Sequence, residues 1–587
     1  VKKLFPSHPR SLLASALFSL TLLASHPAQA LVSSLGSDSV FTGIYINQAI
    51  GADAFYEKGF FGQNAIVANI EAGLVWNGHE AFQGRVSQQI FDPSITGQVD
   101  WHATMVAHAI AGNGQFTYQD GIAPLAQLWS GAIATNWVSE GGTYSNSFSI
   151  STESFLHPYA TAMLTGINGS RADVINSSWG FSDPSGSDPL TIALDAMMRS
   201  SGTIGVFSAG NSGPGTNTVG GPSSGYNGIT VGALTNSPTQ LAYDQVASFS
   251  SRGASDAFNP QTNQTIPGIR ATVDILAPGD HLTLAFYGGV TGGHLSGTDP
   301  TAGRGDFYIG DMGGTSFAAP IVAGAAALMV DAGKLYGTHE MTHALVIKAT
   351  MMAAATPTQG WDNGQYVDGN QVIRTSQALD LAAGAGALNL ENARNIYLGN
   401  SQLLAPSIYV ASDSSTMGID GVTGGSDLAA SGWDYGQIQG GANLYTLAGT
   451  IQAGAQFSAV LTWYAARGFD VALGTLTDDS LSNLSLELWL LDQSSGDRMV
   501  GRSEAPWSTS EMLRFTIAET GAYQMRVVWD GLTYQTNPSA PTLTEYALAW
   551  SFDNSSLLGA VPETSSATMT LWVALFALRR RRPRRCA

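Results

Sequence analysis

Short, nearly unbroken apolar runs recur between residues 60 and 395: Ala65 to Ile70, Asp173 to Asn176, Ile204 to Phe207 and Ile229 to Val231. A strand with one wet face alternates polar and apolar residues, whereas a strand covered on both faces reads as continuous apolar sequence. These runs therefore predict a buried, mostly parallel sheet. Between two of them Leu190, Ala193, Leu194, Met197 and Met198 fall at i, i+3, i+4, i+7 and i+8, one face of a helix. Strand, helix, strand requires right-handed crossovers, and the expected fold class of this region is α/β.

The texture changes near residue 400. Ser412 to Ser415 and the Gly- and Asp-rich stretch through Gly440-Gly441 assign residues 399–445 to a linker or a loosely ordered start of a second domain. Beyond it the period becomes two: Phe457, Ala459, Leu461 and Trp463; Leu484, Leu486, Leu488 and Leu490; Leu513, Phe515 and Ile517; Tyr523, Met525 and Val527; Tyr546, Leu548 and Trp550. With turn signals such as Ser494-Ser495-Gly496, this predicts an antiparallel β-sandwich over 446–556.

Composition narrows the function. The 587 residues carry 25 Lys+Arg against 44 Asp+Glu, a formal charge of −19, which excludes a nucleic-acid binder working through a basic surface. With 12% charged and 44% apolar residues, the chain is too hydrophobic to be disordered. At the N-terminal end, Lys2, Lys3 and Arg10 precede an apolar run from Leu12 to Leu23 and then Ala28-Gln29-Ala30, so residues 1–30 read as a secretory signal peptide. At the other end, Val561-Pro562-Glu563 precedes an apolar stretch from Ala567 to Leu578 and an arginine cluster from Arg579 to Arg585.

That tail, residues 557–587, resembles the PEP-CTERM sorting signal of exported Gram-negative proteins, with Thr564 where the name motif has proline. The resemblance implies an exosortase-type sorting machinery as partner. The protein would be exported to the cell envelope, the cell surface or the extracellular space, with transient anchoring by the tail. A plain tail anchor is the alternative, its arginines staying in the cytoplasm. Nine of the 25 basic residues lie in these two end segments, so the chain between them is more acidic than −19 suggests. The sole cysteine, Cys586, lies in the tail, and stability must come from core size rather than from disulfides.

The chemistry is concentrated in Gly313-Gly314-Thr315-Ser316-Phe317-Ala318-Ala319-Pro320, which runs into a small-residue helix. A serine at a helix start sits where unpaired N–H groups and the helix dipole favour a developing oxyanion. The commoner meaning of Gly-Thr-Ser alone is a capped helix. Further segments decide between the two. His102-Ala103-Thr104-Met105-Val106-Ala107, Gly121-Ile122-Ala123-Pro124, Asn176-Ser177-Ser178-Trp179-Gly180, Ala209-Gly210-Asn211, Ala247 to Gly253 and Ala277-Pro278-Gly279 follow one another in order.

Together these segments resemble the subtilisin-like serine peptidases, the subtilases (peptidase family S8), over roughly residues 60 to 395. The resemblance implies a subtilisin-like three-layer α/β domain over 31–398 and a serine endopeptidase hydrolysing peptide bonds in proteins or peptides through an acyl-enzyme. It implies Ser316 as nucleophile, His102 as base and Asn211 as oxyanion donor, with Ser178, Trp179, Gly180, Ala209 and Gly210 along the substrate. The family's aspartate is replaced: the strand from Ile66 ends in Glu71-Ala72-Gly73, one methylene longer. Asp100, two residues before His102, lacks that strand-end position. Glu71 also motivates the rival reading, a catalytically weak or inactive subtilase-fold binding protein at the cell surface or in its matrix.

His339-Glu340-Met341-Thr342-His343 formally matches the HExxH zinc pattern, in which two imidazoles share a helix face. Gly337-Thr338 as helix start would leave His339 in a frayed first turn, and no third histidine follows at the spacing such sites use. The resemblance implies no cofactor for the chemistry. Structural calcium is common in the family, but no dense Asp/Asn/Gly loop assigns ligands here. The sandwich is expected to dock on the first domain or to bind an extracellular polymer.

Overall fold

The computed structural model describes residues 32–33, 44–82, 84–95, 97–113, 120–137, 148–236, 242–286, 308–336, 339–399, 428–471, 473–540 and 542–553. The signal-like segment 1–30, the tail 557–587 and residues 400–427 of the expected linker lie outside them.

Among these residues the first domain is built on strands β1 (Ile66–Glu71), β2 (Val86–Phe91), β3 (Gln127–Ala132), β4 (Val174–Ser177), β5 (Ile204–Ser208), β6 (Ile229–Asn236), β7 (Tyr243–Val246) and β8 (Ile275–Pro278). They form one sheet in the order β7-β6-β5-β4-β1-β3-β2, with β8 also beside β6. All pairings are parallel except that of β7 with β6. Successive side chains point to opposite faces. Val67, Val174 and Val206 pack on one side with α1 (Trp101–Ala111) and α4 (Thr315–Tyr336). Ala68, Ile175 and Phe207 pack on the other with α2 (Thr152–Ala160) and α3 (Pro189–Ser201). The result is a three-layer α/β domain with a mostly parallel sheet.

Local chemistry sets the helix ends. Helix α3 starts with Pro189 at its first turn and Asp188 as N-cap, the carboxylate accepting from Leu190 N at 2.9 Å, and stops at Gly202 with φ +73°. The face predicted from the spacing is the buried one: Ala193, Leu194, Met197 and Met198 are covered and Leu190 packs at its edge. Helix α4 is apolar and long enough to cross a membrane, but it is the buried core helix of this domain. Its small residues let it approach closely; a Cβ on Gly324 would lie 2.7 Å from Ile122 Cβ.

Two sheets make the second domain. One runs β9 (Ser431–Ile438), β17 (Thr544–Asp553), β11 (Gln456–Trp463), β15 (Ser510–Thr516). The other runs β14 (Arg498–Glu504), β13 (Thr475–Leu491), β16 (Ala522–Gln535), β10 (Ala442–Thr446), with β12 (Ala466–Asp470) also on β13. A hairpin from the first domain, Gln365–Val367 and Ile373–Thr375, extends this sheet by pairing with β14. Phe457, Leu461, Leu486, Leu488, Met525, Leu548 and Trp550 fill the space between the sheets, as the period-two pattern required.

Of residues 399–445, read as a linker or a loosely ordered start of the second domain, β9 and most of β10 are regular strands of the sandwich. Their glycines are strand glycines lying under aromatic rings: Cβ atoms on Gly432 and Gly436 would come within 3.0 Å of Trp550 and 2.7 Å of Tyr546, both on β17. Their buried aspartate, Asp434, accepts a hydrogen bond from Tyr445 Oη at 2.7 Å on β10. Polar composition concealed two paired strands.

The sandwich is also buried on its outer side. Val460, Met512, Ala547 and Ala549 belong to the same core as helix α5 (Ala344–Ala354). Ser458 Oγ donates to Ala353 O at 2.8 Å, and Arg514 reaches Ala385 O at 2.6 Å and Ala355 O at 2.7 Å. Because the core is shared, Met512→Ala is expected to cost about 2–5 kcal/mol and to shift a single unfolding transition of both domains. Calorimetry and denaturant titration with probes in each domain check this. Two separate transitions, only one of them moved, contradict a shared core.

Candidate active site

The carboxyl ends of parallel strands open into a crevice where ligands collect in α/β sheets. Here β1, flanked by β3 and β4, ends on Glu71. Its carboxylate is wholly buried but doubly satisfied: Oε1 accepts from Ser178 N at 2.7 Å, and Oε2 lies 3.1 Å from His102 Nδ1. With Glu71 Oε2 an acceptor, His102 Nδ1 carries a proton and the neutral ring keeps Nε2 as its acceptor. The His102 side chain is 20% exposed against 1% for Glu71, so the imidazole is accessible and the carboxylate is not.

His102 takes its place from helix α1. Asp100 is the N-cap and accepts from His102 N at 3.1 Å, while Asn69 Nδ2 on β1 donates to Ala103 O at 3.1 Å and ties the helix start to the strand. Asp100 thus shapes the helix, and Glu71 holds the ring. Burial lowers the affinity of His102 for a proton, but the hydrogen bond and charge of Glu71 and the charge of Asp100 outweigh it and leave the imidazole pKa above its ordinary value. Burial pushes the Asp100 carboxyl up to about 6, against the charge of His102 and the bond from its backbone N–H.

Ser316 is the second residue of α4, and its hydroxyl donates to Ser178 O at 3.1 Å. Among the described residues no hydrogen bond joins it to His102. Asn211 is oriented by its neighbour: Thr315 N, which can only donate, reaches Asn211 Oδ1 at 2.9 Å, and Thr315 Oγ1 reaches the same oxygen at 3.0 Å. The amide nitrogen is thereby turned away from Thr315. Thr315 Oγ1 in turn accepts from Gly210 N at 3.1 Å, and Gly210, at φ +102°, has no room for a Cβ beside Ser251 Oγ.

Glu71, His102, Asn211 and Ser316 all line one cleft of about 640 Å³, as do Ser178, Trp179, Gly180, Ala209 and Gly210. The expected residues are therefore together. Ser178 has a further place that its motif did not disclose: its N–H holds Glu71, its C=O holds the Ser316 hydroxyl, and its Oγ accepts from Asn176 Nδ2 at 3.2 Å. Phe148, Phe181 and Asp183 also line the cleft, and nothing in their local sequence pattern marked them.

The HExxH stretch takes a different shape from the helix its pattern needs. Glu340–Thr342 form a single 3₁₀ turn, His343 is extended at ψ 135°, and α5 begins only at Ala344. The two imidazoles therefore do not share a helical face. His343 caps α5, accepting from Leu345 N at 3.2 Å, and its ring lies 4.4 Å from that of Tyr435 in the sandwich. Burial pulls its pKa down to about 4. Among the described residues no group of three or more His, Cys, Asp or Glu is placed to hold a metal ion.

Residues 62–387 match the model of the subtilase family, peptidase S8. Subtilisin E of Bacillus subtilis (strain 168) is 30% identical over 289 residues, 48% of this chain and 59% of the relative. Subtilisin of Bacillus pumilus is 28% identical over 314 residues, 52% of this chain and 91% of the relative. The minor extracellular protease Vpr of Bacillus subtilis (strain 168) is 32% identical over 212 residues, 34% of this chain and 23% of the relative. The chain thus spans 59% of the length of the first and 23% of the last.

The geometry around His102 predicts its titration. Its midpoint, followed by NMR of the labelled histidine, is expected above the ordinary value of about 6.5. Removing the negative charge in Glu71→Gln leaves burial less opposed, so the midpoint should fall below that of the wild type. An unchanged midpoint would break the link between the two residues.

Proposed function

Because the chain belongs to the subtilase family, we propose that it is an exported serine endopeptidase in which Glu71 fills the place of the triad aspartate. The observation that carries this reading is the double anchoring of Glu71, with one oxygen on the Ser178 amide and the other on His102 Nδ1. The longer side chain still delivers a carboxylate to the imidazole, so the mispositioning by roughly 1 Å that can cost on the order of 10² in rate is largely avoided.

In this mechanism Ser316 Oγ leaves the Ser178 carbonyl, turns its proton to His102 Nε2 and attacks the scissile carbonyl carbon. The tetrahedral oxyanion is received by Asn211 Nδ2 and the Ser316 backbone N–H at the start of α4. His102, now an imidazolium steadied by Glu71, gives its proton to the leaving amine nitrogen as the C–N bond breaks. Water then attacks the acyl-enzyme with His102 again as base, and the acyl C–O bond breaks as His102 returns the proton to Ser316 Oγ, releasing the acid. The substrate main chain lies along Ser178–Gly180 and Ala209–Gly210.

Export is supported by the signal-like first 30 residues and by the name of one relative, an extracellular protease. The tail supports sorting through an exosortase-type machinery to the cell envelope, and the sandwich is the part of the chain that would hold an extracellular polymer. Substrates are proteins or peptides.

Labelling with a fluorophosphonate tests the reading. Wild type and Glu71→Asp are expected to label, and Ser316→Ala is not. Asn211→Leu should lower kcat on a peptide substrate by about 10²–10³, as loss of one oxyanion donor does. Folded wild type that does not label, with no labelling gained in Glu71→Asp, overturns the peptidase and leaves the inactive binding protein.

A further inference from the structure

One wall of the cleft is the segment Gly220 to Gly228, whose Gly220, Gly221 and Ser223 face the same space as Asn211 and Ser316. It is an irregular turn, not a strand or helix, so its backbone groups need partners from elsewhere. Inside the first domain, Asp195 on α3 accepts from Tyr226 N at 2.8 Å and Asn227 N at 3.0 Å, and Arg270 donates to Ser224 O at 2.9 Å and Gly225 O at 3.2 Å. The other anchors come from the sandwich. Thr509 Oγ1 donates to Tyr226 O at 2.8 Å, and Asn227 exchanges bonds with Ala465, accepting from its N–H at 2.8 Å and donating to its C=O at 3.1 Å.

At the centre stands Arg467 on β12, with its side chain 2% exposed. It pairs with Asp195 at 2.9 Å and with Asp478 of the sandwich at 3.0 Å. The Tyr226 ring is clasped between two guanidinium groups, with Arg270 at 3.9 Å and Arg467 at 4.9 Å from its centroid. From Tyr226 the path to the cleft is short. Ser224 N donates to Gly220 O at 2.9 Å, Gly221 O accepts from Phe181 N at 2.8 Å, and Ser223 Oγ donates to Ser208 O.

We propose that Arg467 is a positioning residue for the substrate cleft, acting through Asp195 and Tyr226 on the Gly220–Gly228 wall, so that the C-terminal sandwich is a working part of the cleft. This rests on the reading of the cleft as that of a peptidase. Arg467 touches neither substrate nor the reacting atoms. It fixes where the wall stands, and its effect falls on the fit of the substrate side chain that lies against that wall in the cleft, not on the chemistry at Ser316.

The test uses the full chain with Arg467→Met, Arg467→Lys and the milder Thr509→Val, which removes only the bond to Tyr226 O. Peptides differing in the side chain of the residue that supplies the scissile carbonyl are hydrolysed, labelling by diisopropyl fluorophosphate is timed, and amide hydrogen exchange is followed by mass spectrometry. For a bulky side chain, KM is expected to rise about tenfold in Arg467→Met, with kcat within about threefold. Arg467→Lys should recover part of the loss, and Thr509→Val should raise KM by a smaller factor. Exchange across Gly220–Gly228 should quicken while that of β1 does not.

Wild-type KM and wild-type exchange in folded Arg467→Met overturn the proposal, as does an equal loss for every side chain and for labelling, which marks a merely structural role. If Arg467→Met does not fold, the same two outcomes in Thr509→Val decide it. A wild type that neither labels nor hydrolyses peptides defeats the peptidase reading instead. Exchange at Gly220–Ser224 then stands as the deciding measurement: faster in the variant upholds the link from sandwich to wall, unchanged refutes it.

Discussion

A carboxylate shut away from water is costly unless every lone pair that faces the protein finds a donor. Glu71 meets that condition with the Ser178 amide and the His102 ring, and much of the first domain follows from it. Ser178 N can reach Glu71 only if β4 is the parallel neighbour of β1 and the chain leaves β4 at the same end of the sheet. His102 can reach it only if α1 begins beside that end, which Asp100 and Asn69 enforce. Ser316 is then brought in by α4, whose small residues let it lie close on the sheet. Sheet order, helix cap and small-residue packing are separate features of the sequence that converge on one buried charge.

Much of this was legible because each part has a local signature. Doubly covered strands read as apolar runs, α3 shows its period, and Ser316 stands at a glycine-rich helix start. What stayed hidden depends on partners distant in sequence. Gly432 and Gly436 look like linker glycines until the rings of Tyr546 and Trp550, more than a hundred residues away, are seen above them. The HExxH stretch looks like one helix until His343 is seen as the cap of α5 against Tyr435. Ser178 is an ordinary serine in a motif, and its two backbone bonds to Glu71 and Ser316 cannot be read from any spacing.

The sandwich shows a further limit of pattern reading. Its inward residues alternate cleanly, which suggests a sheet with one wet face. Val460, Met512, Ala547 and Ala549, the residues in between, are also apolar and pack on α5, so one sheet is covered on both sides. Burying a side chain of Met or Val size is worth about 1.5–3 kcal/mol relative to leaving it exposed. In a chain with one cysteine, and hence without an internal disulfide, such a seam is a substantial part of what keeps the two domains in one orientation.

Two of the buried charge clusters among the described residues, those of Arg467 and Glu71, differ in a way that separates scaffold from chemistry. Asp195 and Asp478 face Arg467, a group that keeps its proton at any pH the protein meets, so the cation of that cluster is permanent. Glu71 faces an imidazole, a group that can gain and lose a proton. Losing that proton leaves the carboxylate with a neutral hydrogen bond, and gaining it creates an ion pair out of water's reach. The same buried carboxylate is therefore more strongly stabilised in the state that holds an extra proton. That bias lets a histidine accept a proton from a serine, and an arginine in its place would abolish it.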